Sequence, residues 1–195
     1  MLNKINDLFA ENIQIQIAAS KSLANNLSVA TQNVVNCLLR GNKIIVCGLG
    51  RSYANAQFLV ANLINRYELP RPSFPSVLLS LDGAMGSAII FDNPAETLLQ
   101  RQFSAVAQQG DILLVLSPFG NEEPILNVVH QAFSKEISVI ALTGNNSDHL
   151  RGLLSENDLE IAVPSNRESR ILESHLFLVN ALCELIDHTL FTQNS

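Results

Sequence analysis

The sequence predicts a single α/β domain over residues 1–195, with an open parallel sheet that carries helices on both faces. Short apolar runs alternate with longer segments of helical spacing, and the runs lie at 43–47, 77–79, 111–116, 138–143 and 159–163. Glycine-containing turns follow the first and third runs. Apolar residues make up 47% of the chain and charged residues 15%, which is typical of a well-packed core.

Two helices are predicted before the first strand, in the segment 1–40. Apolar residues at spacings of three and four over 3–25 indicate a long amphipathic helix, with the stripe Ile5, Leu8, Phe9, Ile13, Ile17 and Leu23. Ser28 is a candidate cap for a second helix that ends at Gly41. Because this segment lies outside the βα repeat, we expect its extra apolar face to pack against another subunit.

The α/β core is expected over 43–191. After the first strand a helix should run from Tyr53 to about Arg66, followed by a proline-rich loop at 69–75 that cannot be helical. Further helices are predicted at 83–91, 95–108, 122–134 and 169–191.

The two glycine turns, 48–52 and 117–121, are the candidate ligand site. Both follow a strand at its carboxyl end, where open parallel sheets bind ligands. Ser52 is predicted to cap the next helix, whose free N–H groups would favour an anion. Ser117 and Asn121 belong to the second turn at the same edge.

Composition excludes several functions. A net charge of −6 argues against direct binding to nucleic acid. The three cysteines form no CxxC pair and are expected to be reduced and buried. We expect a cytoplasmic protein, because no apolar run is long enough for a membrane span and the N-terminus does not resemble a signal peptide.

Four segments resemble the sugar isomerase (SIS) domain, and within it the phosphoheptose isomerase-like group. They are CGLGRS at 47–52, NRYE at 65–68, LSPFGN at 116–121 and RILESH at 170–175. The resemblance implies a flavodoxin-like five-stranded sheet and a homotetramer with the terminal helices between subunits. Within that group the chain is most similar to bacterial proteins that associate with the replication initiator DnaA.

The resemblance also identifies positions where catalytic groups would stand. A glutamate and a histidine would transfer the proton in the isomerases, and Asn62 and Asn180 occupy those positions here. Neither amide titrates in a useful range. Phe58 and Leu172 occupy the two further positions that ligate zinc in some members, so we expect no metal or cofactor.

The phosphate site implied by the resemblance is only partly retained. Ser52 and Ser117 remain, and Asn121 lies in the second turn, whereas Phe119 and Glu122 replace two other serines. Arg51 replaces a glycine, and it either points inward and offsets the negative charge or lies in solvent. We therefore expect weak or absent binding of sugar phosphate.

Other titratable residues give weaker hypotheses. His175 lies beside Glu173, and we favour a core or interface histidine with a hydrogen-bond partner over a catalytic one. Leu190 and Phe191 are adjacent on the last helix, so at least one should be partly exposed. Such a pair fits subunit packing or a partner patch equally well, and the resemblance favours the partner patch.

The expected function is therefore a non-catalytic homotetrameric adaptor that binds DnaA and promotes initiation of chromosome replication. The alternatives are a sedoheptulose 7-phosphate isomerase with rearranged groups such as Glu173 and His175, or a sugar-phosphate sensor.

Overall fold

The computed structural model describes residues 1–192 and contains a five-stranded parallel sheet. Its strands are β1 (Ile44–Gly48), β2 (Ser76–Leu78), β3 (Ile112–Leu116), β4 (Ser138–Gly144) and β5 (Leu159–Val163). The strand order is β2-β1-β3-β4-β5, which is the flavodoxin-like order that the resemblance implied. The predicted fold class is confirmed.

Seven α-helices are present in the described part of the chain. They are α1 (Leu2–Leu39), α2 (Ser52–Ile64), α3 (Gly83–Asp92), α4 (Leu98–Val106), α5 (Glu123–Ser134), α6 (Asp148–Arg151) and α7 (Glu168–Asp187). A 3₁₀ turn, Ala95–Thr97, precedes α4, so the helix predicted at 95–108 begins with a tighter turn.

The core lies in two layers, one on each face of the sheet. Alternate residues of β1 belong to different layers. Ile44 and Val46 pack in the layer formed with α1, α2 and α7, whereas Ile45 and Cys47 pack in the layer formed with α4 and α5. The strands β1 and β3 are buried along their whole length. This pattern follows from a parallel sheet covered on both faces, where successive side chains point to opposite sides.

The N-terminal segment is one continuous helix, so the prediction of two helices within 1–40 is wrong. Ser28 is an exposed residue in the middle of α1 and caps nothing. No glycine or proline interrupts the helix, and the buried repeat continues past Ser28 through Ala30, Val34 and Cys37. Thr31 is buried in the same helix, and its hydroxyl is satisfied there because it donates to the carbonyl of Leu27 at 2.8 Å.

The predicted apolar stripe of α1 is largely exposed in the isolated chain. Ile5, Phe9, Ile13 and Ile17 are exposed, and a groove of about 570 Å³ is lined by residues of α1 and by Phe177 of α7. Leu23 and Ala19 form the buried side of the same helix. The burial of this face against another subunit stays a prediction.

The last helix is shorter than predicted. Regular α-helical hydrogen bonding ends at Asp187, and a wider π turn, His188–Thr192, follows it. Among residues 1–192, no helix combines the length and the apolar character that crossing a bilayer requires.

Candidate functional site

The two glycine turns lie side by side at the carboxyl edge of the sheet. Their strands β1 and β3 are neighbours, and Gly48 is in register with Leu116. A side chain at Gly48 would lie 2.9 Å from the carbonyl oxygen of Ser52 and 3.2 Å from that of Leu116. Glycine is therefore required here, because it lets the turn fold back over the end of β3.

Ser52 does not cap α2, and this prediction is wrong. Arg51 occupies the capping position in a helical conformation, and Ser52 is the first helical residue. The helix therefore begins at Ser52, one residue earlier than the cap preference of serine had predicted. The Ser52 side chain is buried, and its hydroxyl has no hydrogen-bond partner among the described residues. A buried hydroxyl without a partner costs about 1–3 kcal/mol, so this group is available to a ligand.

The second turn already holds a negative charge. The Ser117 hydroxyl accepts a hydrogen bond from the Gly120 N–H at 2.8 Å and donates to the carboxylate of Glu122. The same carboxylate accepts the N–H of Asn121 at 3.2 Å. Asn121 thus contributes its backbone, while its residue is exposed. A bound anion would have to compete with Glu122 for these two donors.

Arg51 takes the solvent alternative of the two that the sequence left open. Its guanidinium lies 2.9 Å from both carboxylate oxygens of Glu168 at the start of α7. The side chain is 74% exposed, so it does not offset the charge of Glu122. Such an exposed pair contributes little to stability.

Asn62 and Asn180 meet between α2 and α7. The Asn62 amide donates to the Asn180 side-chain oxygen over 3.4 Å, and both residues are half-buried. Cys183 lies one turn further along α7, where burial raises the pKa of its thiol to about 12. Phe58 on α2 is exposed, and the backbone carbonyl of Leu172 on α7 accepts the Asn55 amide at 3.0 Å.

His175 is a core histidine with a hydrogen-bond partner, as predicted. Its Nε2 lies 3.0 Å from the carbonyl oxygen of Thr143, and burial lowers its pKa to about 4. Glu173 is exposed and accepts the Asn12 amide of α1 at 2.7 Å. The two side chains therefore lie in different environments, as positions i and i+2 of a helix do.

At least one residue of the pair Leu190 and Phe191 is partly exposed, as expected. Leu190 is half-buried and packs against the core, whereas Phe191 is 44% exposed. The Phe191 ring stacks on Phe74, with ring centroids 6.2 Å apart and an interplanar angle of 12°.

Sequence reasoning missed two residues beside this pair. Arg71 forms an ion pair with Asp187 at 2.6 Å and lies 3.9 Å from the Phe74 ring centroid. Arg71 and Asp187 are 116 positions apart, and neither forms part of a local motif that would have connected them.

A parallel sheet of this order, with helices on both faces, defines a doubly wound α/β domain, and its carboxyl edge, where such domains bind ligands, carries the two serine-bearing glycine turns. Residues 8–144 match the family model of the SIS domain. The chain belongs to the SIS-domain family.

Relatives of two kinds match nearly the whole chain. The DnaA initiator-associating protein DiaA of Erwinia tasmaniensis is 46% identical over 191 residues, covering 98% of this chain and 97% of that protein. A phosphoheptose isomerase of Shewanella halifaxensis is 43% identical over 194 residues, covering 100% and 98%. The structure of a phosphoheptose isomerase from Francisella tularensis superposes with a TM-score of 0.92 at 35% identity, covering 96% of this chain and 98% of that one. Identity alone therefore does not separate the two kinds, and the site residues must.

Proposed function

We propose that the protein is a non-catalytic homotetrameric adaptor that binds the replication initiator DnaA and promotes initiation of chromosome replication. The observation that carries the proposal is the contact between Asn62 and Asn180. Isomerisation moves a proton between adjacent carbons and needs a base and an acid of suitable pKa. Two carboxamides hydrogen-bonded to each other supply neither.

The second turn supports the same proposal. Phosphate binding would use the Ser117 hydroxyl and nearby N–H groups, and Glu122 already accepts hydrogen bonds from both. A fixed carboxylate in this place repels a second anion. We therefore expect the protein to bind sugar phosphate weakly or not at all.

The exposed surfaces support an assembled adaptor. The apolar face of α1 and the groove beside Phe177 supply area for subunit packing. Each subunit of a tetramer would then present one copy of Leu190 and Phe191. Because tethered sites act at high effective concentration, avidity can rise by ~10²–10⁴-fold without new contacts. An acidic protein of this kind would act on DNA through its partner rather than directly, and we place it in the cytoplasm.

Binding of purified DnaA tests the proposal. The variant Leu190→Ala/Phe191→Ala should lose most of the binding while its mass by light scattering stays tetrameric. Leu185→Ala is the matched control, because Leu185 is an exposed leucine near the end of the same helix. Full binding by the double variant would rule out this patch, and rapid conversion of sedoheptulose 7-phosphate by the wild type would rule out a non-catalytic protein.

A sugar-phosphate sensor is the second candidate, and the unpartnered hydroxyl of Ser52 is the observation that favours it. A sensor would gain thermal stability with sedoheptulose 7-phosphate without turning it over. A ligand at 100 times its Kd would add about 2.7 kcal/mol to the free energy of unfolding. An unchanged melting temperature would exclude the sensor and leave the adaptor as the remaining proposal.

A further inference from the structure

The residues that hold Phe191 in place form a small cluster outside the glycine turns. The cluster consists of Arg71 and Phe74 from the loop after α2, and Asp187 and Phe191 from the end of α7. The regular α-helix ends at Asp187, and Phe191 lies in the π turn that continues it. The backbone there is still helical, and the ring of Phe191 is placed by the side chain that it packs against.

Phe74 provides the packing surface for Phe191. The two rings are nearly parallel, and Phe74 is only half-buried, so part of it reaches the surface beside the exposed Phe191. Together they make an aromatic platform, the Phe74–Phe191 platform, that is wider than either ring. Aromatic side chains of this kind often carry much of the energy of a protein interface.

One guanidinium ties this platform to the rest of the fold. Arg71 donates to the Asp187 carboxylate at 2.6 Å and to the carbonyls of Leu63 at 3.0 Å and Asn62 at 2.8 Å. These carbonyls belong to the last turn of α2, where helical partners are absent. Its guanidinium also lies 3.9 Å from the Phe74 ring centroid, within the range of a cation–π contact.

The ion pair is almost completely removed from water. The side chain of Arg71 is 1% exposed and that of Asp187 is 4% exposed. A buried pair is costly unless its geometry is good and further hydrogen bonds satisfy the remaining donors. The planar guanidinium of Arg71 satisfies its own donors in this way, at fixed angles, whereas a lysine would offer only a point charge. The second carboxylate oxygen of Asp187, Oδ2, has no hydrogen-bond partner among the described residues.

We propose that the Phe74–Phe191 platform, rather than Leu190 and Phe191 alone, receives an apolar side chain of the initiator, and that Arg71 is the positioning residue that holds it. The inference rests on the proposed function. Arg71 aligns Phe74 by its cation–π contact and anchors the end of α7 through Asp187. The loop after α2 is thereby a second segment of the partner surface.

Binding assays with DnaA test the platform. Phe74→Leu should raise the Kd at least tenfold, because the stacked ring is lost, whereas Phe74→Tyr should restore binding close to that of the wild type. Arg71→Lys should weaken binding to a similar extent, and Leu185→Ala should leave it unchanged. Light scattering and far-UV circular dichroism should show the same assembly and helix content in every variant.

A fluorescence reporter separates positioning from general stability. The sequence contains no tryptophan, so Phe191→Trp introduces a single indole at the platform. Adding Arg71→Lys to this variant should lower the anisotropy of the indole and increase its quenching by acrylamide. The melting temperatures of the single and double variants are compared, with Phe191→Trp as the reference, to measure any general loss of stability.

The outcomes are distinguishable. If the wild type binds no DnaA, the proposed function fails and the platform fails with it. If the wild type binds and Leu190→Ala/Phe191→Ala abolishes binding, but Phe74→Leu and Arg71→Lys bind normally with unchanged indole anisotropy, the platform is wrong and the proposed function stands.

Discussion

Replacing Glu122 should open the second glycine turn to phosphate. In the wild type the Glu122 carboxylate accepts the Ser117 hydroxyl and the Asn121 N–H, so an incoming phosphate would meet its charge at roughly 4 Å. At that separation two unit charges repel by about 1 kcal/mol in water and about 4 kcal/mol near a protein surface. The expected gain in affinity is therefore between about fivefold and a thousandfold.

The assay is thermal unfolding over a series of phosphate concentrations at constant ionic strength. Glu122→Ser should show a saturable rise in melting temperature where the wild type shows little. Glu122→Gln keeps the size of the side chain and removes its charge, so it should show an intermediate gain. Glu123→Ser is the matched control, because Glu123 is an exposed carboxylate in the first turn of α5.

Two results would refute this account of the turn. Equal phosphate response in Glu122→Ser and Glu123→Ser would show that the turn is not blocked by the Glu122 charge. Strong phosphate binding by the wild type would show that the carboxylate moves aside at little cost, and the sensor would become the better proposal.

Three further predictions concern stability and assembly. Burial lowers the pKa of His175 in the folded protein to about 4, against 6.5 in the unfolded chain, so the unfolded chain binds the proton first and the free energy of unfolding falls as the pH drops below 6.5. Urea titrations at fixed protein concentration should show a loss of about 2 kcal/mol between pH 7.5 and pH 5. His175→Gln should remove most of this pH dependence. Gly144→Ala should destabilise the fold by roughly 1–3 kcal/mol, because the new methyl would lie 2.8 Å from the backbone oxygen of Pro118 and would also meet the Ile171 side chain; an unchanged melting temperature would contradict these contacts. Ile17→Asp should reduce the mass measured by light scattering, whereas Phe133→Asp, at an exposed site near the opposite edge of the sheet, should not.

The sheet was predictable because its strands are short apolar runs with polar or glycine boundaries. The run at 159–163 matches β5 residue for residue, and the others differ by one residue at one or both ends. The order of the strands was not contained in that spacing and came from the family resemblance. The break at Ser28 was wrong because a cap preference of about 1 kcal/mol was set against a continuous helical repeat.

The site was less predictable, since it depends on backbone geometry and distant contacts. Ser52 lost its capping role because the conformation of Arg51 starts the helix one residue early. The sequence indicated that Glu122 would oppose phosphate, but the hydrogen bond between the Glu122 carboxylate and the Ser117 hydroxyl could be recognised only from the folded turn. Arg71 and Asp187 share no local pattern, and only the packing of α2 against α7 brings them together.

The three cysteines have a practical consequence for future labelling. Cys37, Cys47 and Cys183 are all buried, and burial raises the pKa of each thiol. Maleimide dyes react with thiolates, which are scarce at these positions near neutral pH. A new cysteine on the surface should therefore take up a fluorophore selectively without removal of the native ones, which makes single-molecule studies of this chain straightforward.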